Sequence, residues 1–155
     1  QPFPQDKLFD RRARDGSILQ SSNVTCTAAA LANALNGFDR QTSEKDVARI
    51  LGTRRSGTTD YQVIEAVNTF GLQSRVVKVS AQALAQLKKP VMITIDLYGI
   101  RHSVVITGQD DKGNLRGVDP TAGKVIYTPK RLDKLLLSQR GIQISGLAAF
   151  QRRCE

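Results

Sequence analysis

The chain has 155 residues, of which 40% are hydrophobic and 24% charged, a balance that is typical of one globular domain and excludes wholesale disorder. No apolar run approaches the ~20 residues of a membrane-spanning helix, so we expect no transmembrane segment. The formal net charge of +9 favours an acidic partner, but an aromatic content of 5%, with no RNP-like or zinc-finger pattern, argues against nucleic acid.

Residues 1–19 are predicted to be an N-terminal arm, and residues 20–155 a single domain. Three arginines lie close together in the arm, as is typical of a solvated, charged segment. They are Arg11, Arg12 and Arg14. Because the chain begins with Gln1 rather than Met, we expect that a signal peptide has been removed and that the protein is periplasmic or secreted, with a cytoplasmic location left open.

The first half of the domain is predicted to be mainly helical. Val24–Leu35 is rich in Ala and Leu and carries no charge on any face, which predicts a helix buried all round. A second helix is predicted over Thr42–Leu51. A third begins with the capping-box pattern Thr59–Gln62 and runs to Phe70.

The second half has the patterning of a sheet. A strand at Gln73–Val79 and a short helix at Ala81–Leu87 lead into it, and a basic helix is predicted over Pro129–Leu137. The further predicted strands are Pro90–Tyr98, His102–Gly108, Leu115–Asp119, Lys124–Thr128 and Ile142–Phe150. Helices followed by an antiparallel sheet predict an α+β fold.

Two side chains are candidates for a nucleophilic pair. Cys26 opens the buried helix, where the positive end of the helix dipole lowers a thiol pKa and favours the thiolate. The alternative is a small buried core residue. His102, the only histidine, opens an apolar strand, where a structural role is the alternative to a catalytic one.

Asp119 strengthens the catalytic interpretation. Pairing His102 with Asp119 centres a hairpin between residues 110 and 111, and the sequence Asp-Asp-Lys-Gly-Asn at 110–114 is typical of a turn. The two residues would then be cross-strand neighbours with Cβ atoms about 5 Å apart, close enough for a carboxylate to orient an imidazole. An Asp that only forms a turn before Pro120 would not account for this register.

Together, Cys26, His102 and Asp119 predict a papain-like cysteine site in which a thiolate attacks a carbonyl. Such a site needs a donor for the oxyanion, and Gln20, six residues before the cysteine, is the candidate; the alternative is an exposed loop residue. With one histidine and two cysteines, the second being Cys154, the chain lacks the ligands of a Cys/His zinc site, and we expect no metal or other cofactor.

These motifs resemble the bacteriocin-processing leader peptidases, papain-like domains that cut after a double-glycine motif and often form the N-terminal domain of peptide-exporting ABC transporters. In that family a Gln and five residues precede the nucleophile and its Ala/Leu-rich helix, as in Gln20–Leu31. The family's His opens an apolar strand, as His102 does, and its Asp lies in an Asp-Pro-x-x-Gly turn, as in Asp119–Gly123. The resemblance spans about residues 20–135 and implies a monomeric cysteine endopeptidase that processes a polypeptide precursor.

Two residues depart from the family pattern. Thr25 and Thr27 stand where Asp and Gly usually flank the nucleophile, and the β-branched Thr27 lies beside the expected oxyanion site. A catalytically inactive binding module with the same fold is therefore an alternative function. Another acyl-transfer enzyme, such as a transglutaminase-like or cell-wall amidase domain, is a further alternative, although such enzymes usually place the His much closer to the Cys.

The resemblance also implies a substrate whose leader is acidic. The basic pairs and single arginine that are candidates for binding it are Arg54–Arg55, Lys88–Lys89, Arg101 and Lys130–Arg131. The alternative is a solvated basic surface without a specific partner.

Overall fold

The structure is a computed structural model that describes residues 10–53 and 58–146. Its helices are α1 (Cys26–Asn36), α2 (Glu44–Leu51), α3 (Asp60–Thr69), α4 (Ala81–Gln86) and α5 (Pro129–Leu135). Its strands are β1 (Arg11–Arg12), β2 (Ile18–Leu19), β3 (Gln73–Lys78), β4 (Val91–Leu97), β5 (Ile100–Gln109), β6 (Leu115–Asp119), β7 (Gly123–Tyr127) and β8 (Arg140–Ser145). The end of the last predicted strand, together with Cys154, lies outside the described residues.

Strands β3 to β8 form one antiparallel sheet in the order β3-β8-β4-β5-β6-β7. Apolar side chains on one face pack against α1, α2 and α3, and those on the other face pack against α4 and α5. The predicted α+β class, with a helical first half packed on an antiparallel sheet, is confirmed. The two short helices add a third layer, so β4 and β5 in the middle of the sheet are covered on both sides.

The helix α1 is buried as its composition predicts. Seven of its 11 residues are buried, and these are Ala28, Ala29, Ala30, Leu31, Ala32, Ala34 and Leu35. It begins two residues later than predicted because the hydroxyl and the N–H of Thr25 both donate to the carbonyl of Ser22, which closes a turn before the helix. Asn33 on α1 holds β2 by bonding to the N–H and the carbonyl of Ile18.

The helices α2 and α3 lie within two residues of their predicted bounds. Ser43 caps α2 by accepting from the N–H of Asp46, and Gly52 ends the helix at a φ of 67°. The predicted capping box is present, since Thr59 accepts from the N–H of Gln62 while the Gln62 side chain accepts from the N–H of Thr59.

The predicted N-terminal arm is in part a packed hairpin. Its three arginines are exposed, as expected, but β1 and β2 pair with each other and Ile18 is buried in the core. The Asp15 carboxylate accepts from the N–H groups of Ser17 and Lys124, which ties the hairpin to the start of β7. The last residues of the segment predicted to be a solvated arm are therefore part of the domain.

The hairpin of β5 and β6 has a register that differs from the predicted one. Pairing His102 directly with Asp119 would place Val118 opposite Ser103, but Val118 lies opposite Val105, two residues further along β5. A bulge between residues 106 and 108 interrupts the ladder near the turn. The prediction of direct cross-strand pairing is therefore wrong, and the two side chains can meet only diagonally.

Close packing in this hairpin predicts a large difference between two of its glycines. A Cβ at Gly117 would lie 2.6 Å from the carbonyl oxygen of Val105, whereas a Cβ at Gly108 would have no atom within 4 Å. We expect Gly117→Ala to lower the free energy of unfolding by about 1–3 kcal/mol, because the two strands must move apart. Gly108→Ala, the matched control, should change it by less than about 1 kcal/mol. Urea denaturation measures both, and equal effects would contradict the packing argument.

Candidate active site

Cys26, His102 and Asp119 come together where the N-terminus of α1 meets the start of β5. His102 Nε2 lies 2.7 Å from Asp119 Oδ1, and the Cys26 thiol lies close enough to the imidazole for each group to shift the pKa of the other. The histidine is 4% exposed and the aspartate 6% exposed, so water is largely excluded from their contact. The three side chains form the row of thiol, imidazole and carboxylate that the sequence predicts. His102 and Asp119 meet diagonally across the two strands rather than as directly paired residues.

The turn after β6 fixes the Asp119 carboxylate. Besides the imidazole, Asp119 Oδ1 accepts from the N–H of Thr121 at 2.8 Å and from its hydroxyl at 2.6 Å. Burial raises the pKa of Asp119, but the hydrogen bonds from His102 and Thr121 outweigh burial and lower it below its ordinary value. The carboxylate is therefore charged at neutral pH and holds the imidazole from the side opposite the thiol.

The same contacts favour an ion pair between Cys26 and His102. Burial would raise the pKa of the Cys26 thiol, but hydrogen bonds from His102 and from the backbone of Ser103 lower it to about 7. Burial would lower the pKa of His102, but hydrogen bonds to Asp119 and Cys26 raise it to about 9. Between these two values the pair exists as thiolate and imidazolium, which are the forms that attack a carbonyl and then protonate a leaving amine.

A cleft of about 240 Å³ opens beside the ion pair. Cys26, Thr27, His102 and Ser103 line it together with apolar and charged side chains from α3, β4, β5 and β8. The other residues of its walls include Asp60, Val63, Met92, Arg101, Arg140 and Ile142. A polypeptide segment bound in this cleft would therefore contact the Cys26 side chain.

Gln20 is near the site in sequence, but its side chain is engaged elsewhere. Its Nε2 donates to the carbonyl of Ser22 at 3.0 Å, while its Oε1 is buried without a hydrogen-bond partner. Gln20 lines a separate cavity with Arg11, Pro120 and neighbouring residues, and it is not among the residues that line the cleft at Cys26. The structure thus unites three of the four predicted site residues and leaves the fourth turned toward its own loop.

A buried glutamate anchors the segment that runs from Gln20 to the helix. Glu44, at the first position of α2, is 1% exposed and accepts from both the N–H and the hydroxyl of Ser21. Burial raises the pKa of Glu44 even though the hydrogen bonds from Ser21 and Thr25 act in the opposite direction. This carboxylate therefore ties the chain between Gln20 and Cys26 to the second helix.

The predicted basic residues do not form one group around the cleft. Arg101 lines the cleft, whereas Arg131 lines a second cavity beside Asp96 and Tyr98, and Lys89 donates to the carbonyl of Ala85 and to Gln109. The pair at 54–55 lies outside the described residues. Arg140, which the sequence analysis did not single out, is the second cation on the wall of the cleft.

The described ranges 10–53 and 58–146 hold no group of three or more His, Cys, Asp or Glu side chains suited to a metal ion. In the same ranges, none of the helices combines the length and the apolar character that crossing a bilayer requires.

The family profile of the Peptidase C39 family matches residues 15–138. The chain belongs to the peptidase C39 family. It is therefore a cysteine peptidase, and the resemblance to leader peptidases seen in its motifs is confirmed at the level of the family. An uncharacterized protein of Methanothermobacter thermautotrophicus is 32% identical over 108 residues, which cover 70% of this C39 peptidase and 73% of the relative.

Two solved structures share the fold of this C39 peptidase. A double glycine motif protease from an AMS/PCAT transporter, in complex with the leader peptide, gives a TM-score of 0.74 at 22% identity over 83% of this chain and 89% of that chain. The peptidase domain of Streptococcus ComA, a bi-functional ABC transporter involved in a quorum sensing pathway, gives a TM-score of 0.73 at 19% identity over 83% of this chain and 96% of that chain. At these identities the likeness shows the papain-like fold alone.

Sequence reasoning missed the structural partners of the site. Glu44 lies within the predicted second helix, but an acidic residue in a first turn is common and nothing in the sequence pairs it with Ser21. Ser103, which bonds to Thr27 and lowers the pKa of Cys26, follows the histidine in an apolar strand and has no motif of its own. Both partnerships join residues that are far apart in the chain, 23 and 76 positions respectively.

The contact between Asp119 and the imidazole predicts the titration of His102. Replacing Asp119 by Asn removes the charge that stabilises the imidazolium, so the pKa of His102 should fall from about 9 toward the ordinary histidine value near 6.5. Because the chain has a single histidine, its ring resonance in an NMR titration reports this directly. Asp111→Asn, in the exposed turn of the same hairpin, is the control and should leave the titration unchanged. An unaltered pKa in Asp119→Asn would contradict the assigned contact.

Proposed function

We propose that this C39 peptidase is an endopeptidase that cuts a polypeptide precursor after a Gly-Gly-type leader. Cys26 is the nucleophile, His102 the acid and base, Asp119 the residue that orients the imidazole, and Gln20 an oxyanion donor. The observation that carries the proposal is the alignment of a thiol, an imidazole and a buried carboxylate beside a cleft, with His102 Nε2 2.7 Å from Asp119 Oδ1.

In this mechanism the Cys26 thiolate attacks the carbonyl carbon of the scissile bond, and the C=O electrons move onto the oxygen. The His102 imidazolium donates its proton to the leaving amine as the C–N bond breaks, which leaves a thioester on Cys26 and a neutral imidazole. The imidazole then takes a proton from water, whose oxygen attacks the thioester and releases the carboxyl product. Asp119 keeps its negative charge throughout and stabilises each imidazolium state.

The N-terminus of α1 supplies donors for the oxyanion. The first i to i−4 bond of the helix joins the N–H of Ala29 to the carbonyl of Thr25, so the N–H groups of Cys26, Thr27 and Ala28 precede the first closed turn. An amide side chain has two hydrogens, and Gln20 commits one of them to Ser22. The proposed role requires the second hydrogen, or a rotation of the side chain, when a substrate binds.

The arginines on the walls of the cleft support a substrate with acidic residues near the cut. The Gly-Gly cut itself is proposed from the double glycine motif protease that shares the fold. Arg101 and Arg140 on the walls of the cleft have no ion pair or side-chain hydrogen bond within the described part of the chain. Both guanidinium groups are therefore available to a carboxylate of a leader peptide.

The orientation of Gln20 favours the alternative function, a catalytically inactive module that binds a peptide without cutting it. In that case the Gln20 amide would remain bonded to the Ser22 carbonyl, and the oxyanion would lack a side-chain donor. The two functions differ in whether a bound Gly-Gly peptide is hydrolysed.

Cleavage of a fluorogenic peptide with an internal Gly-Gly tests the proposed activity. We expect hydrolysis after the second glycine by the unmodified protein and none by Cys26→Ala, because the thiolate is removed while the rest of the cleft is retained. The same peptide with Ala-Ala at the cut is the substrate control and should be a poorer substrate. Peptide binding without hydrolysis by the unmodified protein would contradict the peptidase and support the binding module.

The role of Gln20 is tested separately. Loss of one oxyanion donor lowers kcat by about 10²–10³ with little change in KM, since the donor acts on the charge that develops in the transition state. We therefore expect this pattern for Gln20→Ala. Ser22→Ala keeps the backbone carbonyl that Gln20 contacts and should leave kcat within about threefold. An effect of Gln20→Ala that is confined to KM would assign the residue to substrate binding only.

A further inference from the structure

Thr27, the residue that departs from the family pattern beside the nucleophile, has a partner. Its hydroxyl lies 2.8 Å from the hydroxyl of Ser103, so a hydrogen bond links α1 to β5 beside Cys26 and His102. Both side chains are half-buried and both line the cleft. The two residues are 76 positions apart in the chain and are the immediate neighbours of the nucleophile and of the histidine.

Ser103 also lines the same cleft as the Cys26 side chain. Its backbone N–H and its hydroxyl both lower the pKa of the Cys26 thiol and so favour the thiolate. The hydroxyl of a serine has one hydrogen and can accept two further hydrogen bonds. If the Ser103 hydrogen points to the sulfur, Thr27 must be the donor of the 2.8 Å bond, and the chain of donors runs from Thr27 to Ser103 to Cys26. Hydrogen bonds in such a chain strengthen one another.

We propose that Ser103 is a further catalytic residue, whose hydroxyl hydrogen-bonds the Cys26 thiolate, and that Thr27 is the positioning residue that holds this hydroxyl in place. The inference rests on the proposed function only in taking Cys26 as the nucleophile. It gives Thr27 a role that a glycine at this position has no side chain to fill.

Such a contact has two opposite effects on the rate. A donor to the sulfur extends the thiolate to lower pH, but it also makes the thiolate less nucleophilic, because reactivity falls as the thiol pKa falls with a Brønsted coefficient of about 0.4–0.5. Removing the donor should therefore slow the reaction at low pH and speed it on the alkaline plateau. A residue that only supports the fold would not produce this crossing of the two pH profiles.

The test is the rate of iodoacetamide alkylation of Cys26 from pH 5 to pH 10, measured in a Cys154→Ser background so that one thiol remains. Ser103→Ala should raise the midpoint of the profile by about one pH unit, which is the size of shift expected for a hydrogen bond to a charged group. With that shift, alkylation should be about threefold slower below pH 6 and about threefold faster on the plateau.

Three further variants separate the proposed contact from a general effect on packing. Thr27→Val should move the midpoint in the same direction by a smaller amount, and it should add nothing in the Ser103→Ala background. Ser103→Thr keeps the hydroxyl and should retain the original midpoint. Thr107→Val, on an exposed position of the same strand, is the matched control and should have no effect.

An unchanged midpoint in Ser103→Ala, in protein whose thermal unfolding shows that it is folded, would overturn the role of Ser103. Full additivity of Thr27→Val and Ser103→Ala would overturn the positioning role of Thr27. Alkylation requires no peptide substrate, so this outcome is independent of whether the Gly-Gly peptide is cut. Failure of that cleavage with the predicted alkylation profile would overturn the proposed function alone.

Discussion

The site depends on the packing of the N-terminus of α1 against β5. The alanine and leucine side chains of this helix are buried on nearly all sides, so the hydrophobic core fixes the position of the helix. The Cys26 sulfur at its N-terminus is fixed with it. His102 lies near the start of β5, the strand that this helix end meets, in the middle of a sheet covered on both faces. A shift of either element would separate the thiol from the imidazole and remove the contact that sets both of their pKa values.

The protein keeps three ionisable groups together in a poorly solvated place because each charged form has hydrogen-bonding partners. Thr121 and the imidazole form hydrogen bonds with the Asp119 carboxylate, and Ser103 and the imidazole lower the pKa of the Cys26 thiol. Burial alone would neutralise the thiol, the imidazole and the carboxylate. The fully charged state between about pH 7 and pH 9 is thus a property of the three groups and their partners together.

The residues that depart from the family pattern are accommodated by partners nearby. Thr25 closes the turn before α1 by bonding to Ser22, and Thr27 on α1 bonds to Ser103 on β5. Glu44, on α2, adds a third contact by accepting hydrogen bonds from Ser21. The chain around the nucleophile is thus held by side-chain hydrogen bonds on both sides of Cys26.

The sequence by itself determined the helices α1 to α5 and the strands β3 to β8, but not the hairpin of β1 and β2, and it singled out Cys26, His102 and Asp119, which the structure brings together. Local features were enough for α1, for the Thr59 capping box and for the turn after β5, because helix burial, caps and turns depend on residues close together in the chain. Tertiary structure alone decided the diagonal contact of His102 with Asp119. The strands pair about a turn centred at residue 112 rather than between 110 and 111, and the bulge between residues 106 and 108 recovers only one position of that difference, which no local pattern encodes. It also decided which way Gln20 points and which distant hydroxyl meets Thr27, because side-chain partners across a core are chosen by packing between elements rather than by spacing along the chain.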